Sequence, residues 1–226
     1  MTHLVIPDAA RSGVPESGKT SRIFRIKKHL VDRRILATAV AVVRNGGVVA
    51  YPTDTAYGLA ADPTNQKALK KIFAIKGRRE DKPSPLIAAS FVQAAKIGVI
   101  AGLARKLARK HWPGPLTIVL PLRAKSGIAA LARGRDKTVA VRVPASPWAR
   151  ALADGIGRPI TSTSANRSGN PPAYSGLAVK AAFRGKSKKL DIILDAGVLK
   201  RRRPSTIARI HRGKVEVVRQ GDVIVE

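Results

Sequence analysis

The chain has 226 residues, enough for one large domain; 44% are hydrophobic, but aromatics at 4% leave the core to Val, Ile, Leu and Ala. Lys plus Arg number 43 against 14 Asp plus Glu, a formal charge of +29, which points to an anionic partner: RNA, DNA, a nucleotide or a membrane surface. The lack of cysteine excludes disulfides, thiolate catalysis and zinc–thiolate sites, and His3, His29, His111 and His211 have no metal-ligand spacing.

Residues 1 to 21, rich in Pro, Gly, Ser and Ala, read as a loose tail ahead of a domain over 22–226. They carry no basic stretch followed by an apolar one, so no secretory signal is expected. No apolar run reaches the roughly 20 residues of a membrane helix. Cytoplasm is the expected compartment.

Residues 22–27 read as a short strand. Val31, Ile35, Ala39 and Val42 recur at helical spacing over 30–43, and Asn45-Gly46-Gly47 ends that helix. Val48 to Tyr51 is a buried strand stopped by Pro52. Leu69, Ile72 and Phe73 mark a short helix ending near Gly77, and Leu86 to Ala89 a short strand. Leu103 and Leu107 lie on a further helix that Trp112-Pro113-Gly114-Pro115 terminates, and Leu116 to Leu122 is a strand. Thr138 to Val143 has a clear period of two, with Val139, Val141 and Val143 on one face and Thr138, Ala140 and Arg142 on the other. A helix near 175–184 and strands at 192–195, 205–210 and 215–218 complete a mixed α/β pattern.

Gly13 to Thr20, GVPESGKT, matches a phosphate-binding loop in form, with Lys19 as its cation. Such a loop must leave a strand and open a helix. Six residues separate Gly13 from Leu4-Val5-Ile6, and the chain after Ser21 looks strand-like, so the match is read as a decoy.

The residues that carry chemistry are cationic and hydroxylic. Lys76 and Arg78 stand two apart just past a helix and can converge on one anion; a solvated basic turn is the other reading. Ser162, Ser164 and Asn166 share parity and form a polar wall if extended, or a Ser- and Asn-rich turn if not. Thr53 and Thr55 follow a buried strand, where α/β sheets hold ligands. Arg142, on the same strand face as Thr138, serves either a ligand or a structural ion pair. Trp112 reads as a packing residue.

Seven segments in order, YPTDTAYGLAAD (51–62), IKGRREDKP (75–83), WPGPLTIVL (112–120), TVAVRVP (138–144), STSANRSG (162–169), PSTI (204–207) and VVRQGD (217–222), resemble the YrdC-like threonylcarbamoyl-adenylate synthases. The resemblance runs from about residue 22 to residue 222 and is to the short, single-domain form. It implies a twisted mixed α/β sheet flanked by helices, with a concave basic cleft. It implies that L-threonine, bicarbonate and ATP, with Mg²⁺ on the phosphates, give threonylcarbamoyladenylate for tRNA modification. The product would pass to a threonylcarbamoyl transferase complex. An alternative is a domain of this fold that binds double-stranded RNA or tRNA without synthesis.

The family's K-x-R and S-x-N signature maps onto Lys76, Arg78, Ser164 and Asn166 as the catalytic core. Nucleotide contacts are implied for Arg78, Lys82, Thr138, Ser164, Pro172 and Arg219, and threonine contacts for Thr53, Thr55, Arg142, Ser162 and Ser205. No protein-held metal is implied. One departure concerns specificity: Ile87 stands where many members have histidine, which removes a family contact to threonine.

Overall fold

In the computed structural model the described residues are 21–80, 83–185 and 190–225. Residues 1–20 of the expected tail, including the GVPESGKT match and Lys19, lie outside them, as does Lys82. The expected mixed α/β order is present, but its strands form two mixed sheets.

The five-stranded sheet runs in the order β1 (Arg22–Arg25), β9 (Ile192–Asp195), β2 (Val49–Pro52), β3 (Tyr57–Ala60), β8 (Thr163–Ser164). The six-stranded sheet runs β11 (Lys214–Arg219), β10 (Thr206–His211), β5 (Leu116–Pro121), β6 (Thr138–Arg142), β4 (Leu86–Ile87), β7 (Ile160–Thr161). Both combine parallel and antiparallel pairs. The chain crosses from one sheet to the other at Ser162, between β7 and β8. Those strands have two residues each, too short to give a period in the sequence.

Alternation along the strands sorts the core into layers. Val49 and Tyr51 of β2 face the helices α1 (Arg33–Arg44) and α5 (Pro147–Ile156), where Val40, Val43, Trp148 and Leu152 meet them. Ala50 and the β3 residues Tyr57 and Leu59 face the other way, with Ile72 of α2 (Gln66–Lys76) and Val179 of α6 (Gly176–Ala182). In the second sheet Leu116, Ile118, Leu120, Val139 and Val141 pack on α3 (Phe91–Ile97) and α4 (Gly102–His111) through Ala94, Ala104, Leu107 and Ala108. Trp112 packs against this cluster and donates its indole N–H to Leu116 O at 2.7 Å.

Two helices, α3 and α5, and the strand β3 are absent from the sequence expectations. The local chemistry of α5 is nonetheless complete: Ser146 accepts from Ala149 N, Pro147 opens the first turn and Gly157 ends it at φ 81. Among the described residues no helix is long and apolar enough to cross a membrane.

Candidate active site

The two sheets meet at a cavity of about 410 Å³. Its wall draws Thr53 and Thr55 from the β2–β3 turn, Thr117 and Val119 from β5, and Ala140 and Arg142 from β6. Ser162 and Ser164 come from the crossing strand, and Arg78, Pro172, Ser205 and Arg219 from loops and strand ends. Residues more than a hundred positions apart are thus brought to one space. Its size falls in the range of small-molecule sites, about 300–1,000 Å³.

The K-G-R segment is shaped by how α2 ends. Gly77 takes the left-handed conformation at φ 60, and Arg78 N–H reaches back to Phe73 O at 2.9 Å. The turn leaves Lys76 pointing into the protein and Arg78 at the cavity. Lys76 is 3% exposed. Its Nζ donates to the carbonyl of Ser164, to Asn166 O at 2.7 Å and to Asn166 Oδ1 at 3.3 Å. Ser168 N–H returns a bond to Lys76 O at 2.9 Å. Burial, and then the Arg78 guanidinium, pull the Lys76 ammonium down to about 7. Three oxygens face three N–H bonds, which only the ammonium form satisfies at once. The Arg78 guanidinium donates to Thr163 Oγ1 at 3.3 Å and Pro83 O at 3.0 Å, joining the two sides of the seam.

The expected polar wall is shorter than its parity suggested. Ser162 and Ser164 line the cavity, but the chain turns at Ala165, where Asn166 N–H bonds Ser164 O at 2.9 Å. Asn166 then holds the turn, its amide donating to the carbonyls of Arg167 and Asn170. Thr138 starts β6 with its hydroxyl on Asp136 at 2.6 Å and is not on the cavity wall, although Ala140 and Arg142 of the same face are. Ile87 lies beside Arg142 in the sheet, fully buried in the core around α5 and likewise off the wall.

Arg142, 4% exposed, has its ion pair: its guanidinium lies 3.1 Å from Asp54 Oδ1 and 3.5 Å from Thr55 Oγ1. The contact with Asp54 is close but poorly aligned, and both atoms of the pair lack a hydrogen bond. Arg142 thus keeps donor capacity while facing the cavity. Thr53 shapes the turn above it, its hydroxyl donating to Ala56 O at 2.6 Å and accepting from Thr55 N–H at 3.1 Å. Arg219 donates twice to Ser205 O, at 3.1 and 2.7 Å, and Ser205 meets Thr117 across 2.9 Å. Burial, and then Arg142, push the Arg219 guanidinium below its usual value, since two cations share this wall.

Sequence reasoning missed Asp54, Thr117, Tyr174 and Arg202. Asp54 sat inside a quoted motif between two chosen threonines. Arg202 stands in the basic run Lys200-Arg201-Arg202-Arg203, and Tyr174 donates to its carbonyl with a 3.2 Å hydrogen bond. Four arginines, Arg78, Arg142, Arg202 and Arg219, therefore line the cavity, and among the described residues no carboxylate does. Among the described residues no group of three acidic, histidine or cysteine side chains is placed to hold a metal ion. Such a site suits an anion with several oxygens better than a carboxylate-driven hydrolysis.

The family model Sua5/YciO/YrdC, described as telomere recombination, matches residues 41–221. The chain belongs to the Sua5/YciO/YrdC family. The threonylcarbamoyl-AMP synthase of Nitrosococcus oceani is 41% identical over 170 residues, 75% of this chain and 89% of the relative. That of Thiobacillus denitrificans is 38% identical over 176 residues, 77% and 90% of the two chains. Among solved structures, P. abyssi Sua5 complexed with L-threonine superposes with a TM-score of 0.81 at 34% identity; the match covers 89% of this chain but 58% of that longer one. E. coli YciO superposes with a TM-score of 0.79 at 27% identity, covering 90% and 97%. This chain therefore shares the fold of those two structures.

Proposed function

We propose that this chain is a threonylcarbamoyl-AMP synthase that converts L-threonine, bicarbonate and ATP to L-threonylcarbamoyladenylate and pyrophosphate. The observation that carries the reading is the four-arginine, hydroxyl-rich cavity at the sheet seam of a chain 41% identical to a synthase of that name. The threonine amine adds to the carbon of bicarbonate with loss of water, forming an N–C bond and a carbamate. A carbamate oxygen then attacks the α-phosphorus, and the bond to the bridging oxygen breaks to release pyrophosphate.

The residues divide this work by charge. Arg142, with Thr55 beside it, takes the threonine carboxylate, and Ser162 and Thr53 border the same end. Arg78, Arg219 and Arg202 take the phosphates, where negative charge grows as pyrophosphate leaves. Lys76 and Asn166 hold Ser164 in position from behind the wall. Catalysis rests on orientation and fixed positive charge rather than on a general base. Mg²⁺ would enter as part of the ATP substrate, held by the phosphates. The adenylate is labile and serves tRNA modification at adenosine 37, passed to a separate threonylcarbamoyl transferase in the cytoplasm.

Arg78→Ala is expected to abolish threonine-dependent pyrophosphate release and the adenylate mass that accompanies it. Normal turnover by that variant would overturn the site.

A further inference from the structure

Part of the cavity wall is held by a residue that does not touch the cavity. Pro172 and Tyr174 come from the loop that leads into α6, and Arg202 from the segment that follows β9. The two loops bind each other. Leu199 N–H donates to Tyr174 O at 2.7 Å, the Tyr174 hydroxyl donates to Arg202 O at 3.2 Å, and the Arg201 guanidinium lies 5.8 Å from the centre of the Tyr174 ring. Such bonds keep the loops together but do not fix them to the sheet. Tyr57 and Asp195 do.

Tyr57 opens β3 and is fully buried. Its N–H donates to Ala173 O at 3.0 Å, and its carbonyl accepts from Ala165 N–H at 2.8 Å, next to Ser164 on the wall. Its hydroxyl reaches the other loop, donating to Gly197 O at 2.9 Å and accepting from Ala196 N–H at 2.9 Å. Asp195, the last residue of β9, stands 3.3 Å from the same hydroxyl. Its Oδ1 accepts from Gly197 N–H at 2.9 Å and from Gly176 N–H at 3.2 Å. One carboxylate oxygen thus joins the start of α6, the turn at Gly197 and the Tyr57 side chain. The fit is tight: a Cβ at Gly176 would overlap the Asp195 carboxyl, and Gly197 makes its turn in the left-handed conformation at φ 76.

The donors around Asp195 are all neutral. Among the described residues it forms no ion pair, in a chain whose formal charge is +29. The cap of α6 is supplied by Ser175, which accepts from Ala178 N–H. A carboxylate that accepts only N–H and O–H bonds works through the place of its oxygen rather than through its charge. The part of the wall with Arg142 and Thr55 has its own supports, Asp54, Thr53 and Ser146, and none of their bonds passes through Asp195 or the Tyr57 hydroxyl.

We propose that Asp195 is a positioning residue for the nucleotide: through Gly176, Gly197 and Tyr57 its Oδ1 fixes the loops that carry Pro172, Tyr174 and Arg202, and leaves the threonine part of the wall untouched. The inference rests on the division of the cavity given above, with Arg202 on the phosphates and Arg142 on the threonine carboxylate.

Calorimetric titration of the full chain with Mg²⁺ and ATP in the absence of threonine, and with threonine in the absence of ATP, reads the two parts of the wall without turnover. Asp195→Ala should weaken ATP binding by about tenfold, the equivalent of one or two lost hydrogen bonds, and leave threonine binding within about twofold of wild type. Asp195→Asn should bring ATP binding back to within about threefold of wild type, because an amide oxygen accepts the same two N–H bonds. A residue that only stabilises the fold would weaken both ligands together. Tyr57→Phe removes one hydroxyl; it should weaken ATP binding about threefold and add little to Asp195→Ala in the double variant. It carries the test by itself should Asp195→Ala not fold. Equal weakening of both ligands, ATP binding unchanged in Asp195→Ala or in Tyr57→Phe, or an Asp195→Asn protein as weak as Asp195→Ala would overturn the proposal. Failure of the synthase reading would look different: the split between ATP and threonine binding would stand, but the wild-type protein would release no pyrophosphate when given ATP, threonine and bicarbonate together.

Discussion

Lys76 and Arg142 are almost equally buried cations, 3% and 4% exposed, yet their surroundings differ in kind. Lys76 meets only neutral oxygens of the 164–166 turn, three of them, and has no donor left over. Arg142 meets one carboxylate at poor alignment and one hydroxyl at the limit of hydrogen-bond length, and it opens on the cavity wall. The first is a closed clamp that ties the 164–166 turn to α2; the second is an incompletely satisfied group open to the cavity. Charge and burial alone do not separate these roles. The partners do.

Removing the clamp gives the largest effect. Lys76→Met keeps the length of the side chain but orphans the Ser164 and Asn166 oxygens, each costing about 1–3 kcal/mol when buried. Denaturant unfolding should show a loss of about 3 kcal/mol, with threonine-dependent pyrophosphate release gone as the Ser164 wall shifts. A stable, active Lys76→Met protein would dissolve the distinction between clamp and wall.

Arg142→Ala should act on one substrate instead. Truncating one partner of a buried charge-assisted contact costs about 2–5 kcal/mol, so the KM for threonine should rise by at least about 30-fold while that for ATP stays close to wild type. An equal rise for both substrates would move Arg142 to the phosphates. Asp54→Asn is the milder probe. It keeps the shape of the side chain and removes the charge that steadies Arg142, so kcat/KM for threonine should fall about tenfold, near 1.4 kcal/mol. In the double variant with Arg142→Ala the Asp54 substitution should add little further loss.

The same contrast explains what could be read in advance. Thr138 to Val143 presented its two faces in the sequence because a five-residue strand buried on one side shows its period directly, and Arg142 emerged from it on the cavity side. K-G-R and S-A-N each have one residue on the cavity wall, Arg78 and Ser164, but neither segment shows in the sequence that Lys76 and Asn166 turn inward. That difference lies in the left-handed Gly77 and the turn at Ala165, single-residue events with no periodicity. Asp54 was hidden for a related reason: its partner is 88 positions away, and only the meeting of the β2–β3 turn with β6 makes the pair. The two sheets escaped because β7 and β8 have two residues each, whereas α5 was missed although Ser146, Pro147 and Gly157 mark its two ends.

The clamp carries a final, smaller consequence in pH. In the folded chain the Lys76 ammonium is drawn down to about 7 from 10.5 by burial and by Arg78, whereas the unfolded chain keeps that proton until about 10.5. Between those values the unfolded state binds more protons, so stability must rise with pH; below about 7 both states are protonated and the penalty is constant. One group of this kind contributes about 1 kcal/mol between pH 7 and pH 8. A chain of net charge +29 also gains from any loss of positive charge as pH rises, so the wild-type slope alone does not isolate Lys76. The difference between wild type and Lys76→Met does, because the variant keeps every other titrating group. That difference should level off below pH 7 and grow by about 1 kcal/mol from pH 7 to pH 8 in urea melts. A difference that stays flat across this range would mean that the three oxygens hold the proton on Lys76 more firmly than burial and Arg78 remove it.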